Sequence, residues 1–118
     1  AKMIYLASPY SHPDPAVREA RFRAVCAQAA KMMCEGLMVF SPIAHSHPIS
    51  EFGLPGDWSY WEKFDRQMLS CCDELVVLCL PDWTDSVGVK AEIAAAQELG
   101  LSVRYIETSN HAPAIAEA

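Results

Sequence analysis

Apolar residues gather in four short runs, and between the runs they recur at helical spacing. Met3-Ile-Tyr-Leu-Ala7 is continuous and carries aromatic and branched members, the pattern of a strand buried on both faces. It runs into Ser8-Pro-Tyr-Ser-His-Pro-Asp-Pro15, where three prolines exclude regular structure and make a first candidate binding loop. Asp14-Pro15 reads as an N-cap with proline at the first helical position. That helix extends to a stop at Gly36, with Val25, Ala29, Met32 and Met33 as its apolar contacts. Leu37-Met-Val-Phe40 is a second buried strand, and Ser41 to Asp57 is the longest irregular stretch, the length and composition of a lid or binding loop. Ser59-Tyr-Trp-Glu62 has the form of a capping box and opens the next helix. Leu75-Val-Val-Leu-Cys-Leu80 is a strand, Ser86 to Leu99 a helix stopped by Gly100, and Ser102-Val-Arg-Tyr-Ile106 a last strand.

Strands alternating with helices at this spacing predict an α/β fold of parallel strands, a flavodoxin-like three-layer α/β/α arrangement with a four- or five-stranded sheet over residues 1–107. Residues 108–118 form a C-terminal tail, polar and then alanine-rich, with no assignable element. Ligands of such sheets bind beyond the carboxyl ends of the strands, which here gathers the loops after Ala7, Phe40 and Leu80. The first turn of the Ser86 helix presents free N–H groups to an anion at the same edge.

Two acids break the apolar pattern. The residues three, four and seven places from Glu92 are Gly88, Val89, Ala95, Ala96 and Leu99, all small or apolar, whereas Lys90, Gln97 and Glu98 fall on other faces. Asp65 is set in the same way among Trp61, Met68, Leu69 and Cys72. A buried acid is expensive unless neutralised, paired or facing a wet cleft. Two of them on helices that flank one strand suit glycoside chemistry, in which one carboxylate attacks or steadies an oxocarbenium-like sugar while other groups manage protons.

Composition narrows this picture. The chain has 118 residues, 52% of them hydrophobic, enough for one compact core. No apolar run reaches the ~20 residues of a membrane helix and the first residues lack a signal-peptide layout, so a soluble cytoplasmic protein is expected. A formal net charge of −6 argues against a nucleic-acid polymer as partner but leaves room for a small nucleotide held by backbone N–H groups. The five cysteines, Cys26, Cys34, Cys71, Cys72 and Cys79, sit in apolar segments and read mostly as reduced core thiols. His45, His47 and the cysteines lack the spacing of a zinc site, and no metal is expected. His45 or His47 in the long loop are candidates to touch a phosphate or a leaving base, and Arg18 or Arg21 near a helix start are candidates to reach an anion. No G-x-G-x-x-G, Walker-type phosphate loop or G-x-S-x-G elbow is present, which sets aside dinucleotide binding, triphosphate chemistry and serine hydrolysis.

Ile4-Tyr-Leu-Ala-Ser-Pro-Tyr10 at the first strand, Asp65 eight residues before Asp73, Ser86-Val-Gly-Val-Lys-Ala-Glu92-Ile, and Leu99-Gly100 before the last strand occur in an order that resembles the nucleoside 2-deoxyribosyltransferases and the related deoxynucleoside monophosphate N-glycosidases. The resemblance covers most of residues 3–106. It implies that Glu92 is a nucleophile attacking the anomeric carbon, that Tyr5 orients it, and that Asp65 holds the sugar or helps protonate the leaving base, without a cofactor. Ser8, Pro9, Tyr10 and His45 are the corresponding substrate-binding candidates. Ser86 and Gly88, in a Ser-x-Gly-Val turn, favour a nucleotide 5′-phosphate. The family's habit implies a homodimer or higher homo-oligomer in which a neighbour's Ser109 or Asn110 completes the pocket. Two other readings are a nucleotide-binding module of the same fold without turnover, and a structural domain in which Asp65 and Glu92 merely pair with Arg or Lys.

Overall fold

The computed structural model describes residues 2–107, and the candidates Ser109 and Asn110 lie outside the described residues. Four parallel strands, β1 (Met3–Ala7), β2 (Met38–Phe40), β3 (Glu74–Cys79) and β4 (Ser102–Glu107), form one sheet in the order β2-β1-β3-β4. Tyr5 is level with Phe40 on one side and Leu75 on the other. The helices are α1 (Pro15–Cys34), α2 (Pro42–Ser50), α3 (Trp58–Ser70) and α4 (Val87–Glu98), with a 3₁₀ turn at Trp83–Asp85. This is the expected three-layer α/β/α arrangement with a four-stranded parallel sheet.

The period-two alternation of β1 and β3 divides the core between the two faces. Ile4, Leu6, Val76 and Leu78 face Val25, Ala29 and Met32 of α1. Tyr5, Ala7, Leu75 and Val77 face Leu69 and Cys72 of the α3 end and Val89, Ala95 and Ala96 of α4. β1 and β3 are therefore covered on both sides, as their unbroken apolar runs require. β2 is an edge strand with Met38 exposed, not the doubly buried strand its sequence suggested.

The residues from Ser41 to Asp57 are not wholly irregular. Ser41 Oγ accepts from the Ala44 N–H at 3.1 Å and Pro42 occupies the first helical position, so α2 begins with the same cap-plus-proline device as α1, where Asp14 accepts from Ala16. α2 runs through Pro48 to Ser50, so of the stretch expected to be irregular only residues 51–57 remain so. The start of α3 also differs from expectation. Asp57 takes the N-cap position and Trp58 begins the helix, while the Ser59 hydroxyl donates to the Asp57 carboxylate, leaving no capping box at Ser59. Of the cysteines only Cys72 and Cys79 are buried; Cys34 and Cys71 are exposed, and none of the five forms a disulfide among the described residues.

No helix of the described residues is long and apolar enough to cross a membrane.

Candidate active site

β1 and β3 are adjacent in the sheet, while β1 connects outward to β2 and β3 outward to β4, so the strand order reverses between them. Loops leaving their carboxyl ends splay apart there and open a cleft of about 350 Å³. Ser8 and Tyr10 line it from the loop after β1, Ile43 and Ser46 from α2, Trp58, Trp61 and Asp65 from α3, and Ser86, Gly88 and Glu92 from α4.

Glu92 enters the cleft from the second turn of α4, and its position follows from the cap. Ser86 Oγ accepts from the Val89 N–H at 3.2 Å, which fixes the helix start and turns Val89, Ala95 and Ala96 into the core with Glu92 among them. Leu99, expected on the same stripe, is half exposed at the helix end. Glu92 is only 5% exposed, and Tyr5, wholly buried on β1, donates its hydroxyl to Glu92 Oε2 at 2.5 Å. Burial pushes the Glu92 carboxyl up to about 8; the Tyr5 hydrogen bond works against the rise and the charge of Asp65 adds to it. Tyr5 is held well above the ordinary phenol range by burial and by both acids, so it remains a donor.

Asp65 is 6% exposed, and burial raises its carboxyl to about 7. Its Oδ1 and the Oγ of Ser8 are buried without a hydrogen-bond partner among the described residues, and both residues line the cleft. Unpaired buried polar atoms are costly, and a cleft that keeps two of them has places for polar groups of a ligand. Neither Asp65 nor Glu92 is in an ion pair among the described residues, which removes the reading of these acids as mere structural partners of Arg or Lys.

Other expected residues are placed variously. Ser86 and Gly88 line the cleft, and a methyl group on Gly88 would stand 3.4 Å from the Trp58 ring. Pro9 is fully buried behind the lining. His45 is not brought to the cleft: it is exposed and stacks on Phe64 with ring centres 5.1 Å apart. His47 is buried and bonded to Tyr10 rather than displayed on a loop. Arg21 lines the cleft while donating to the Ser11 carbonyl at 3.0 Å.

The sequence did not single out Trp58 and Trp61, which form an indole wall one helical turn apart. Trp61 Nε1 donates to the Pro55 carbonyl at 2.7 Å, tying residues 51–57 to that wall. Nor did it single out Asp57, Asp82 and Asp85, whose carboxylates give the rim an acidic character. A separate cluster of Glu19, His47 and Glu51 has ligand atoms within 4.8 Å of one another, close enough to hold a metal ion; as it stands the imidazole and Glu19 are joined by a hydrogen bond of 2.9 Å.

Compared with solved structures, the fold is similar to that of 2-deoxyribosyltransferases, which bears out the resemblance noted in the sequence. A 2-deoxyribosyltransferase from Bacillus psychrosaccharolyticus, described as a biocatalyst for the synthesis of antiviral and antitumoral nucleosides, is 26% identical with a TM-score of 0.66; the match covers 92% of this chain and 74% of that one. A deoxyribosyltransferase from Leishmania mexicana, at 20% identity and a TM-score of 0.58, shares the fold over 92% of this chain and 66% of its own length. A family model described as a domain of unknown function, DUF1937, matches residues 2–108, and the chain belongs to that family. No curated protein matches the chain.

Proposed function

We propose that the protein cleaves the N-glycosidic bond of a deoxynucleoside or its 5′-monophosphate, with Glu92 as nucleophile and water or a second base as acceptor. The observation that carries this reading is the buried 2.5 Å hydrogen bond from Tyr5 to Glu92, in a cleft shared with Asp65. The deoxyribosyltransferase likeness supports it at the level of nucleoside glycosyl transfer.

The first step forms a bond between Glu92 and C1′ of the sugar and breaks the C1′–N bond to the base, which leaves with the electron pair and takes a proton from Asp65. In the second, water or an incoming base attacks C1′, the ester to Glu92 breaks, and the attacking group's proton returns to Asp65. This needs a negative charge on Glu92 and a proton on Asp65. The raised carboxyls allow both forms near neutrality, and the Tyr5 bond favours the charge on Glu92. Trp58 and Trp61 supply flat apolar surface for a base. Ser86 suits a phosphate as a hydroxyl at a helix start, yet Asp82 and Asp85 beside it weigh toward an uncharged nucleoside.

The test is base release from a panel of deoxynucleosides and their monophosphates, with the protein's mass followed for a deoxyribosyl adduct. Release by the wild type, lost in a folded Glu92→Ala variant, supports the proposal. Full activity in Glu92→Ala removes it, and tight binding with no release from any substrate makes the protein a binding module.

A further inference from the structure

Tyr10 lines the cleft, and its hydroxyl is bonded to His47. The phenol oxygen lies 2.5 Å from His47 Nδ1, and His47 Nε2 lies 2.9 Å from Glu19 Oε1 and 3.6 Å from Glu51 Oε2. His47 is 8% exposed, its ring stacked on Phe22 at 4.2 Å and met edge-on by the Tyr10 ring at 5.5 Å. Three separate segments thus contribute to one chain of side chains: the loop after β1, the start of α1 and the end of α2.

The direction of this chain follows from what each group is able to do. A carboxylate only accepts, so the imidazole nitrogen facing Glu19 carries the hydrogen. With the imidazole neutral, Nδ1 keeps a lone pair and the Tyr10 hydroxyl donates to it. Burial holds the Tyr10 phenol above its ordinary range, keeping that hydrogen in place, with Glu51 and Glu19 acting in the same sense and the nearby Arg18 guanidinium against it. Arg18 also donates to the His12 carbonyl, and Arg21 to the Ser11 carbonyl at 3.0 Å, so the backbone at Ser11 and His12, directly after Tyr10, is anchored to α1 as well.

We infer that Glu19 and His47 are positioning residues of the reaction cleft: acting through Tyr10, they hold its ring against the substrate and direct its hydroxyl proton away from it. The inference rests on the proposed function for its substrate and goes beyond it in assigning two residues that touch no reacting atom. In that direction the Tyr10 hydrogen is engaged by His47, so the inference also assigns the proton of the leaving base elsewhere than Tyr10.

The experiment is a double-variant cycle on Tyr10→Leu and His47→Leu, read as KM and kcat for the best deoxynucleoside, with Glu19→Leu and Glu19→Gln beside it. Misplacing the ring should raise KM about tenfold in His47→Leu and Glu19→Leu while kcat moves much less. Glu19→Gln, which keeps an acceptor for Nε2–H, should restore most of the loss. In the Tyr10→Leu background His47→Leu should add nothing, because the residue it acts through is gone. An equal KM effect of His47→Leu in both backgrounds, or a lowered unfolding midpoint with KM unchanged, overturns the inference. Imidazole nitrogen NMR of the wild type reads the same chain without substrate: hydrogen on Nε2 and a bare Nδ1 support it, and hydrogen on Nδ1 overturns it. If no nucleoside is turned over or bound, the proposed function fails on its own, and the imidazole spectrum still decides the direction of the chain.

Discussion

Replacing Glu92 by glutamine should abolish turnover and at the same time stabilise the fold, by an amount that grows with pH. The carboxyl stands at about 8 in the folded chain against an ordinary 4.5, so between those values the folded state holds a proton that the unfolded chain releases. Stability therefore declines as pH rises through this window, the reverse of a salt-bridged acid. One pKa unit is worth about 1.4 kcal/mol, and the rise integrated from about pH 5 to pH 8 is of order 2–4 kcal/mol. Glutamine has nearly the same volume, keeps an oxygen for the Tyr5 hydroxyl and does not ionise, so this loss disappears in the variant. Thermal unfolding of both proteins should give similar midpoints near pH 5 and a gap of roughly 10 °C in favour of Glu92→Gln near pH 8. A constant offset at all pH values, or a variant less stable at pH 8, would refute the claim that burial of this carboxyl dominates its energetics.

Other outcomes follow from the same geometry. Tyr5→Phe removes the bond that lowers the Glu92 carboxyl, so the acidic limb of the pH–rate profile should move to higher pH and the rate near neutrality should drop about 10- to 100-fold. Asp65→Asn removes the charge that raises Glu92, so the same limb should move to lower pH even as the maximal rate falls, which initial rates of base release across pH would show. Gly88→Ala should leave the unfolding midpoint unchanged or slightly raised, since alanine favours the helix by about 0.5–1 kcal/mol, while its methyl at the Trp58 wall raises KM. Leu75→Ala, in the core between sheet and helices, should cost about 2–5 kcal/mol in denaturant unfolding without shifting the pH profile of the protein that remains folded.

The parts of the fold that the sequence made legible are those in which local pattern and tertiary role agree. β1 and β3 are central strands, so both faces are buried and the runs from Met3 and Leu75 are unbroken. Asp65 and Glu92 were legible for the opposite reason, as acids where a helix face should be apolar, and both line the cleft. α2 was missed because Pro48 looks like a terminator, although a proline late in a helix forfeits only one backbone bond when capping and packing hold the rest. Trp58 and Trp61 carry no local mark that distinguishes a cleft wall from a core stripe. The Tyr10–His47–Glu19 chain is invisible to spacing, since its links join residues 37 and 28 positions apart. His45 was a candidate only through its neighbourhood in sequence, and the turn of α2 carries it to the exposed ring stack with Phe64.

The bond from Tyr5 to Glu92 spans 87 residues and joins a middle strand of the sheet to the helix that follows β3. Loop closure over such a distance comes late in folding, after the local helices and the first strand pairings have formed. Recovery of base release in a refolding experiment should accordingly lag behind recovery of the far-ultraviolet helical signal. Catalytic competence would then report the completed architecture rather than its pieces, with no reaction chemistry exposed on a half-assembled chain.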